Sequence, residues 1–149
     1  MDKFDRRILT VLQTDASQSV AQIADQVGLS PTPCWRRVQK LEANGIIRGR
    51  VALLDAAQLD LGLTVFVHLR IARHGSDWLE AFTRAMMASP EVLEVSRLAG
   101  NWDYLLRVVV ADMPAYDRFY KRLIEVDGLN DVSSSFSMEQ IKYTTALPL

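Results

Sequence analysis

Between positions 30 and 40 the chain sets out Ser30, Thr32, Trp35, Arg36, Arg37, Gln39 and Lys40, a run of hydrogen-bond donors and cations. Arginine grips guanine or phosphate through a planar fork, lysine neutralises phosphate, and threonine and glutamine can read base edges. Residues 1 to 50 hold eight Lys or Arg against five acids, a balance of +3, so the remainder stands at −4 within the total of −1. Inside 31 to 50 there are five bases against Glu42 alone. Positive charge confined to one segment fits a polyanion partner for that segment. It fits a solvated helix face as well.

A second polar set lies downstream. Ser133, Ser135 and Ser137 share one face of a strand, opposite Val132, Ser134, Phe136 and Met138. In an earlier strand Asp103, Leu105 and Arg107 oppose Tyr104, Leu106 and Val108. A zwitterionic amino acid needs an acceptor for its ammonium and amides or hydroxyls for its carboxylate. Asp103 offers the first; the Gly100-Asn101 turn and the serines offer the second. The same polar face also suits a sheet surface that is solvated or covered by a second copy.

Other reactive residues form no centre. Cys34 falls on the inner stripe of its helix and is expected to act as a small hydrophobe. His68 and His74 lack a Cys or carboxylate at ligand spacing, so no metal is expected. Neither a Ser-His-Asp arrangement nor a Gly-rich phosphate loop is present. The chain is therefore expected to be no enzyme and to carry no cofactor. Tyr116, Phe119 and Tyr120 sit at core spacing and need no ligand.

The elements that position the basic run are three short helices. Phe4, Ile8, Val11 and Leu12 make one apolar stripe ending near Asp15. After a break at Ser17-Gln18-Ser19, Val20, Ile23, Ala24 and Val27 repeat at helical spacing. Gly28-Leu29 stops that helix. Ser30-Pro31 starts the third, which runs to about Asn44-Gly45, and its amide-bearing start can sit on a phosphate. Cys34, Val38 and Leu41 form its buried stripe. Thr32, Arg36, Gln39 and Lys40 point away, with Trp35 and Arg37 on the flanks. Two helices joined by a short Gly-containing turn make a helix-turn-helix.

A connector follows, with a short strand expected at Val51–Leu54. Val65, Val67, Leu69 and Ile71 then alternate at strand period. A helix is expected over Ser76–Ser89 with Leu79, Phe82 and Met86 inward. Strands Glu91–Ala99 and Trp102–Ala111 are expected to join through a tight turn at Gly100-Asn101, followed by a helix over Pro114–Val126 and a last strand. The fold class is α+β: a three-helix unit (1–50), a linker (51–62) and a βαββαβ ferredoxin-like unit (63–149) with both helices on one face.

The 149 residues suffice for one domain or two small ones, with 49% hydrophobic and 23% charged residues arguing against disorder. No apolar run is long enough for a membrane span, and the N-terminus has no signal-peptide core. A single cysteine excludes a disulfide framework. A cytoplasmic location is expected.

Three stretches of the first half, Phe4-Asp5-Arg6-Arg7-Ile8-Leu9, Ile23-Ala24-Asp25-Gln26-Val27-Gly28-Leu29-Ser30-Pro31 and Cys34-Trp35-Arg36-Arg37-Val38, resemble the Lrp/AsnC (feast/famine) regulators. So do Leu41-Glu42-Ala43-Asn44-Gly45-Ile46-Ile47, Gly100-Asn101-Trp102-Asp103-Tyr104-Leu105-Leu106, Ser134-Ser135-Phe136 and the terminal Lys142-Tyr143-Thr144-Thr145-Ala146-Leu147-Pro148. The motifs span nearly the whole chain in order. The resemblance implies transcription regulation through double-stranded DNA and an amino-acid effector domain. It also implies homodimers formed through the sheet, assembling to octamers. It maps effector binding onto Ala99, Gly100, Asn101, Trp102, Asp103, Met113, Ser135, Phe136 and Ser137, in a pocket between dimers. At Asn101 the family usually carries an acid, and at Trp102 a smaller aromatic. The Thr32-Pro33-Cys34-Trp35 run and the tail from Met138 resemble the branch controlling amino-acid catabolism, including sulphur amino acids. Two other functions fit the same pattern: an amino-acid-binding regulatory subunit of an enzyme, and a nucleoid-type DNA-compacting protein with little ligand control.

Overall fold

The computed structural model describes residues 1–72 and 75–149 and divides them into two compact units. Met1–Leu53 and Ile141–Leu149 form one; Leu54–Gln140 form the other. The last nine residues thus belong with the helices rather than with the sheet unit expected over 63–149. His74 lies outside the described residues.

The first unit holds α1 (Lys3–Thr14), α2 (Val20–Val27) and α3 (Pro31–Ala43). Asp2 caps α1 through a reciprocal box with Asp5, and Ser19 caps α2 through one with Gln22. Gly28 ends α2 at φ 74°, a left-handed conformation that costs glycine little, and Leu29 N–H returns to Ala24 O at 2.9 Å. Ile8, Leu12, Ile23, Ala24, Val27, Cys34, Val38 and Leu41 close over one core. These are the stripes that helical spacing marks out. Against α1 lies the C-terminal tail. The Gln13 amide donates to Leu147 O and accepts from Leu147 N–H, each at 2.8 Å.

The strand expected at Val51–Leu54 is absent. Val51, Leu53 and Leu54 are exposed and their backbone joins no ladder; a strand needs a neighbour to satisfy its backbone groups, and no described segment pairs with this one. A single 3₁₀ turn at Ala57–Leu59 follows. Then come β1 (Leu63–Ile71), α4 (Ser76–Met87), β2 (Val92–Arg97), β3 (Tyr104–Val110), α5 (Met113–Ile124) and β4 (Leu129–Phe136). The sheet is antiparallel in the order β2-β3-β1-β4. One core joins Val65, Val67 and Leu69 of β1 with Leu106 and Val108 of β3, Phe82 and Met86 of α4, and Tyr116, Phe119 and Leu123 of α5. Burying each of the larger side chains contributes about 1.5–3 kcal/mol.

Two local expectations change. Trp78, not Leu79, packs with Phe82, its ring stacked at 4.9 Å, and Leu79 is exposed. Both positions are apolar, and the helix phase against the sheet chooses between them. The β2–β3 connection is also longer than a tight turn: residues 98 to 103 all lie outside the strands, and Leu98 N–H bonds Asp103 O at 2.8 Å. Among the described residues no helix is long and apolar enough to cross a membrane.

Candidate nucleic-acid interface and effector site

Helix α3 divides as its sequence implies. Cys34, Val38 and Leu41 are buried, while Ser30, Thr32, Trp35, Arg36, Gln39 and Lys40 are exposed. Trp35 leaves 51% of its surface open beside these polar side chains. Ser30 holds the N-cap backbone conformation, but its hydroxyl makes no capping bond. The start of α3 is poorer in donors than the expectation of a phosphate-binding helix end allows. Pro31 and Pro33 have no N–H, so two of the four positions that usually present orphan amides present none.

Gln39 Nε2 donates to Glu42 Oε2 at 3.0 Å, and Arg50 Nη2 reaches Glu42 Oε1 at 2.7 Å. Arg37 differs from its neighbours. Its Nη1 donates to Asp2 Oδ2 and Asp5 Oδ1, both at 2.7 Å, and its guanidinium lies 5.5 Å from the Phe4 ring centre. Asp5 and then Asp2 push the Arg37 guanidinium further up its titration range. Backbone N–H of Asp5, then Arg37, hold the Asp2 carboxyl below its usual range. At Asp5 burial opposes ionisation, but the Asp2 N–H and Arg37 outweigh it. Burial pushes the Cys34 thiol up, which leaves it protonated and packed as a hydrophobe.

The nine residues expected to bind an effector do not converge within one chain. Ala99, Gly100, Asn101, Trp102 and Asp103 lie at the Ile71 end of β1. There Asp103 N–H bonds Leu69 O and its carboxylate accepts Ile71 N–H, each at 2.9 Å. Arg70 Nε donates to Asn101 O at 2.7 Å and its guanidinium lies over the Trp102 ring at 4.7 Å, with His68 alongside at 5.6 Å. Phe136 and Ser137 lie at the other end, paired with Val65 and bonded to Thr64 O. Thr64 and Ile71 are seven residue steps apart along β1, about 23 Å at ~3.3 Å per residue. No amino acid spans that.

At the Thr64 end, Met113 and Phe136 border a shallow groove of about 340 Å³ with Tyr116, Tyr120, Val132 and Ser134. Phe136 stands edge-on to Tyr116 at 5.2 Å, and the Tyr116 hydroxyl pairs with Ser134 Oγ. Burial pushes the Tyr116 phenol up. Helical spacing puts Tyr116 and Tyr120 in the core and by itself gives Ser134 no role in a site. A hydroxyl on the apolar face of β4 was the available signal. Ser135 pairs across to Phe66 on the other face of the sheet.

An AsnC-type helix-turn-helix domain matches residues 1–42, and an Lrp/AsnC ligand binding domain matches residues 64–147. The chain belongs to the Lrp/AsnC family. The DNA-binding transcriptional activator DecR of Escherichia coli K12 is 52% identical over 150 residues, covering 100% of this chain and 99% of DecR. An AsnC family transcriptional regulator of Agrobacterium tumefaciens superposes with a TM-score of 0.95 at 55% identity, covering 99% of this chain and 97% of that one. A Neisseria meningitidis regulator solved as its complex with L-Met superposes with a TM-score of 0.94 at 40% identity, covering 99% and 96%. This Lrp/AsnC protein is accordingly a ligand-responsive, DNA-binding transcriptional regulator and not an enzyme. Its α+β architecture is that of the family.

Proposed function

We propose that this regulator enters the major groove with α3, using Ser30, Thr32, Trp35, Arg36, Gln39 and Lys40. It answers to an amino acid bound where neighbouring copies meet. Homodimers set two α3 helices about 34 Å apart, one turn of DNA, and dimers assemble further to an octamer. The protein works in the cytoplasm.

One observation carries the effector reading. Asp103 with its loop, and Met113 with Phe136, occupy opposite ends of β1 in a single protomer. A pocket using both sets takes one end from each of two copies, so ligand occupancy and assembly are linked. Asp103 receives the ammonium, and loop amides or serine hydroxyls receive the carboxylate. The L-Met bound by the N. meningitidis relative makes sulphur amino acids the first class to try.

The test uses full-length protein and a panel of amino acids beginning with L-Met, read by tryptophan fluorescence and sedimentation. Trp102 lies in that loop and serves as reporter. The expected result is one class of amino acid shifting both signals. A flat response to every amino acid, with DNA binding intact, overturns the effector reading and favours an architectural DNA-binding role. DNA contact is tested by salt titration on a duplex enriched from a random pool. Arg36→Ala should lower the slope of log K against log salt by about 0.9 per bound head. An unchanged slope overturns that contact.

A further inference from the structure

We infer that Arg37 is a positioning residue rather than a phosphate contact, and that Asp2 and Asp5 confine the DNA backbone to the Arg36 and Lys40 side of α3. The inference rests on the reading of α3 as the groove helix.

The two acids have no oxygen to spare. Asp2 Oδ1 accepts Phe4 N–H at 2.8 Å and Asp5 N–H at 3.0 Å, and Asp5 Oδ2 accepts Asp2 N–H at 2.9 Å. Those bonds complete the capping box that starts α1. The two remaining oxygens, Asp2 Oδ2 and Asp5 Oδ1, both take Arg37 Nη1. One nitrogen of α3 is therefore tied to the first turn of α1, 35 and 32 residues away in sequence. Phe4 supports the guanidinium from its ring face. The contact sets where α3 sits on α1 and hence how its outer face is presented.

The charges have a second consequence. Asp2, Asp5, Arg36, Arg37 and Lys40 border one open concavity of about 570 Å³. Arg37 and its two carboxylates sum to −1, while the five side chains together, with Arg36 and Lys40, sum to +1. A phosphate approaching Arg37 meets that local negative charge and would have to displace two ion pairs. Arg36 and Lys40 form no ion pair among the described residues and remain available. Three cations on α3 thus yield two phosphate ligands, and an acidic edge fixes the side from which DNA is gripped.

The salt slope of DNA binding separates positioning from contact, because it counts neutralised phosphates and a purely structural loss leaves it alone. On a duplex enriched from a random pool, Arg37→Ala should weaken specific binding at least tenfold with the slope unchanged. Asp2→Asn with Asp5→Asn keeps the capping acceptors, removes both charges and releases Arg37. That double variant should steepen the slope by about 0.9 per head. It should also tighten binding to mixed-sequence DNA, narrowing the specific-to-non-specific ratio. A slope lowered by Arg37→Ala as much as by Arg36→Ala overturns the inference. So does a double variant with the wild-type slope, which decides the matter if Arg37→Ala does not fold. A wild-type protein with no salt dependence instead removes the groove-helix reading itself.

Discussion

Trp78 fills the space that a side chain at Gly128 would need. A Cβ built on Gly128 stands 2.6 Å from Cδ1 and Nε1 of the indole, and Gly128 sits at φ 87°. The indole cannot yield easily: it stacks on Phe82 with a 10° interplanar angle and donates from Nε1 to Asp127 O. Gly128→Ala should therefore destabilise the sheet unit by about 2 kcal/mol, the range of overpacking combined with left-handed strain. Urea unfolding checks it; a midpoint within error of wild type would contradict the packing described.

Asp103 does two things that substitution can separate. Its carboxylate accepts Ile71 N–H where the β1–β4 register shifts between Arg70 and Ile71, and it is the proposed ammonium acceptor. Asp103→Asn keeps an acceptor and should hold stability within about 0.5 kcal/mol while abolishing the amino-acid response. Asp103→Ala orphans the amide and should cost about 1–2 kcal/mol besides. Thermal melts and fluorescence titration together resolve the pair. A full amino-acid response in Asp103→Asn would remove Asp103 from the site.

Acid sensitivity follows from Asp2 and Asp5. Both carboxyls are lowered in the fold from an ordinary value of 3.8. A depressed acid contributes stability that is present above its unfolded value and is lost as pH falls through the folded one. Below about pH 4 the wild-type protein should lose stability faster than the Asp2→Asn, Asp5→Asn variant, which has neither group to protonate. At neutral pH the wild type should be the more stable. Parallel urea midpoints for the two proteins across that range would refute the coupling.

Gln13 holds the tail through two hydrogen bonds to Leu147. Gln13→Ala should lower the stability of the helical unit by about 1 kcal/mol and speed carboxypeptidase removal of the last residues. Cleavage at the wild-type rate would mean that the tail is held by other contacts.

Much of the molecule is local in origin. The stripes Ile8–Leu12, Ile23–Val27 and Cys34–Leu41 face inward because a period of 3.6 residues puts them on one side of each helix, whatever surrounds them. Gly28 stops α2 because the left-handed conformation suits glycine, and the strand alternation from Val65 to Leu69 divides core from open face without reference to a partner. The two prolines that thin the amides of α3 are equally plain in the chain.

Other features exist only once distant segments meet. Arg36 and Arg37 are adjacent and chemically alike, yet Asp2 and Asp5 claim one and leave the other. That assignment depends on where α1 crosses α3, which periodicity does not specify. Trp78 and Leu79 compete for one place over Phe82 on the phase of α4. Val51–Leu54 has strand composition but no backbone neighbour, so it forms no strand. The residues expected to bind the effector sit in the β2–β3 loop, at the start of α5 and at the end of β4, and the antiparallel pairing of β1 with β3 and β4 puts them at opposite ends of the sheet. Sequence determined which faces are apolar, where helices stop and which residues carry charge, because these obey nearest-neighbour geometry. Tertiary structure decided which charges are spent within the fold and which remain for a partner, because ion pairs and strand pairs join residues that the chain keeps far apart.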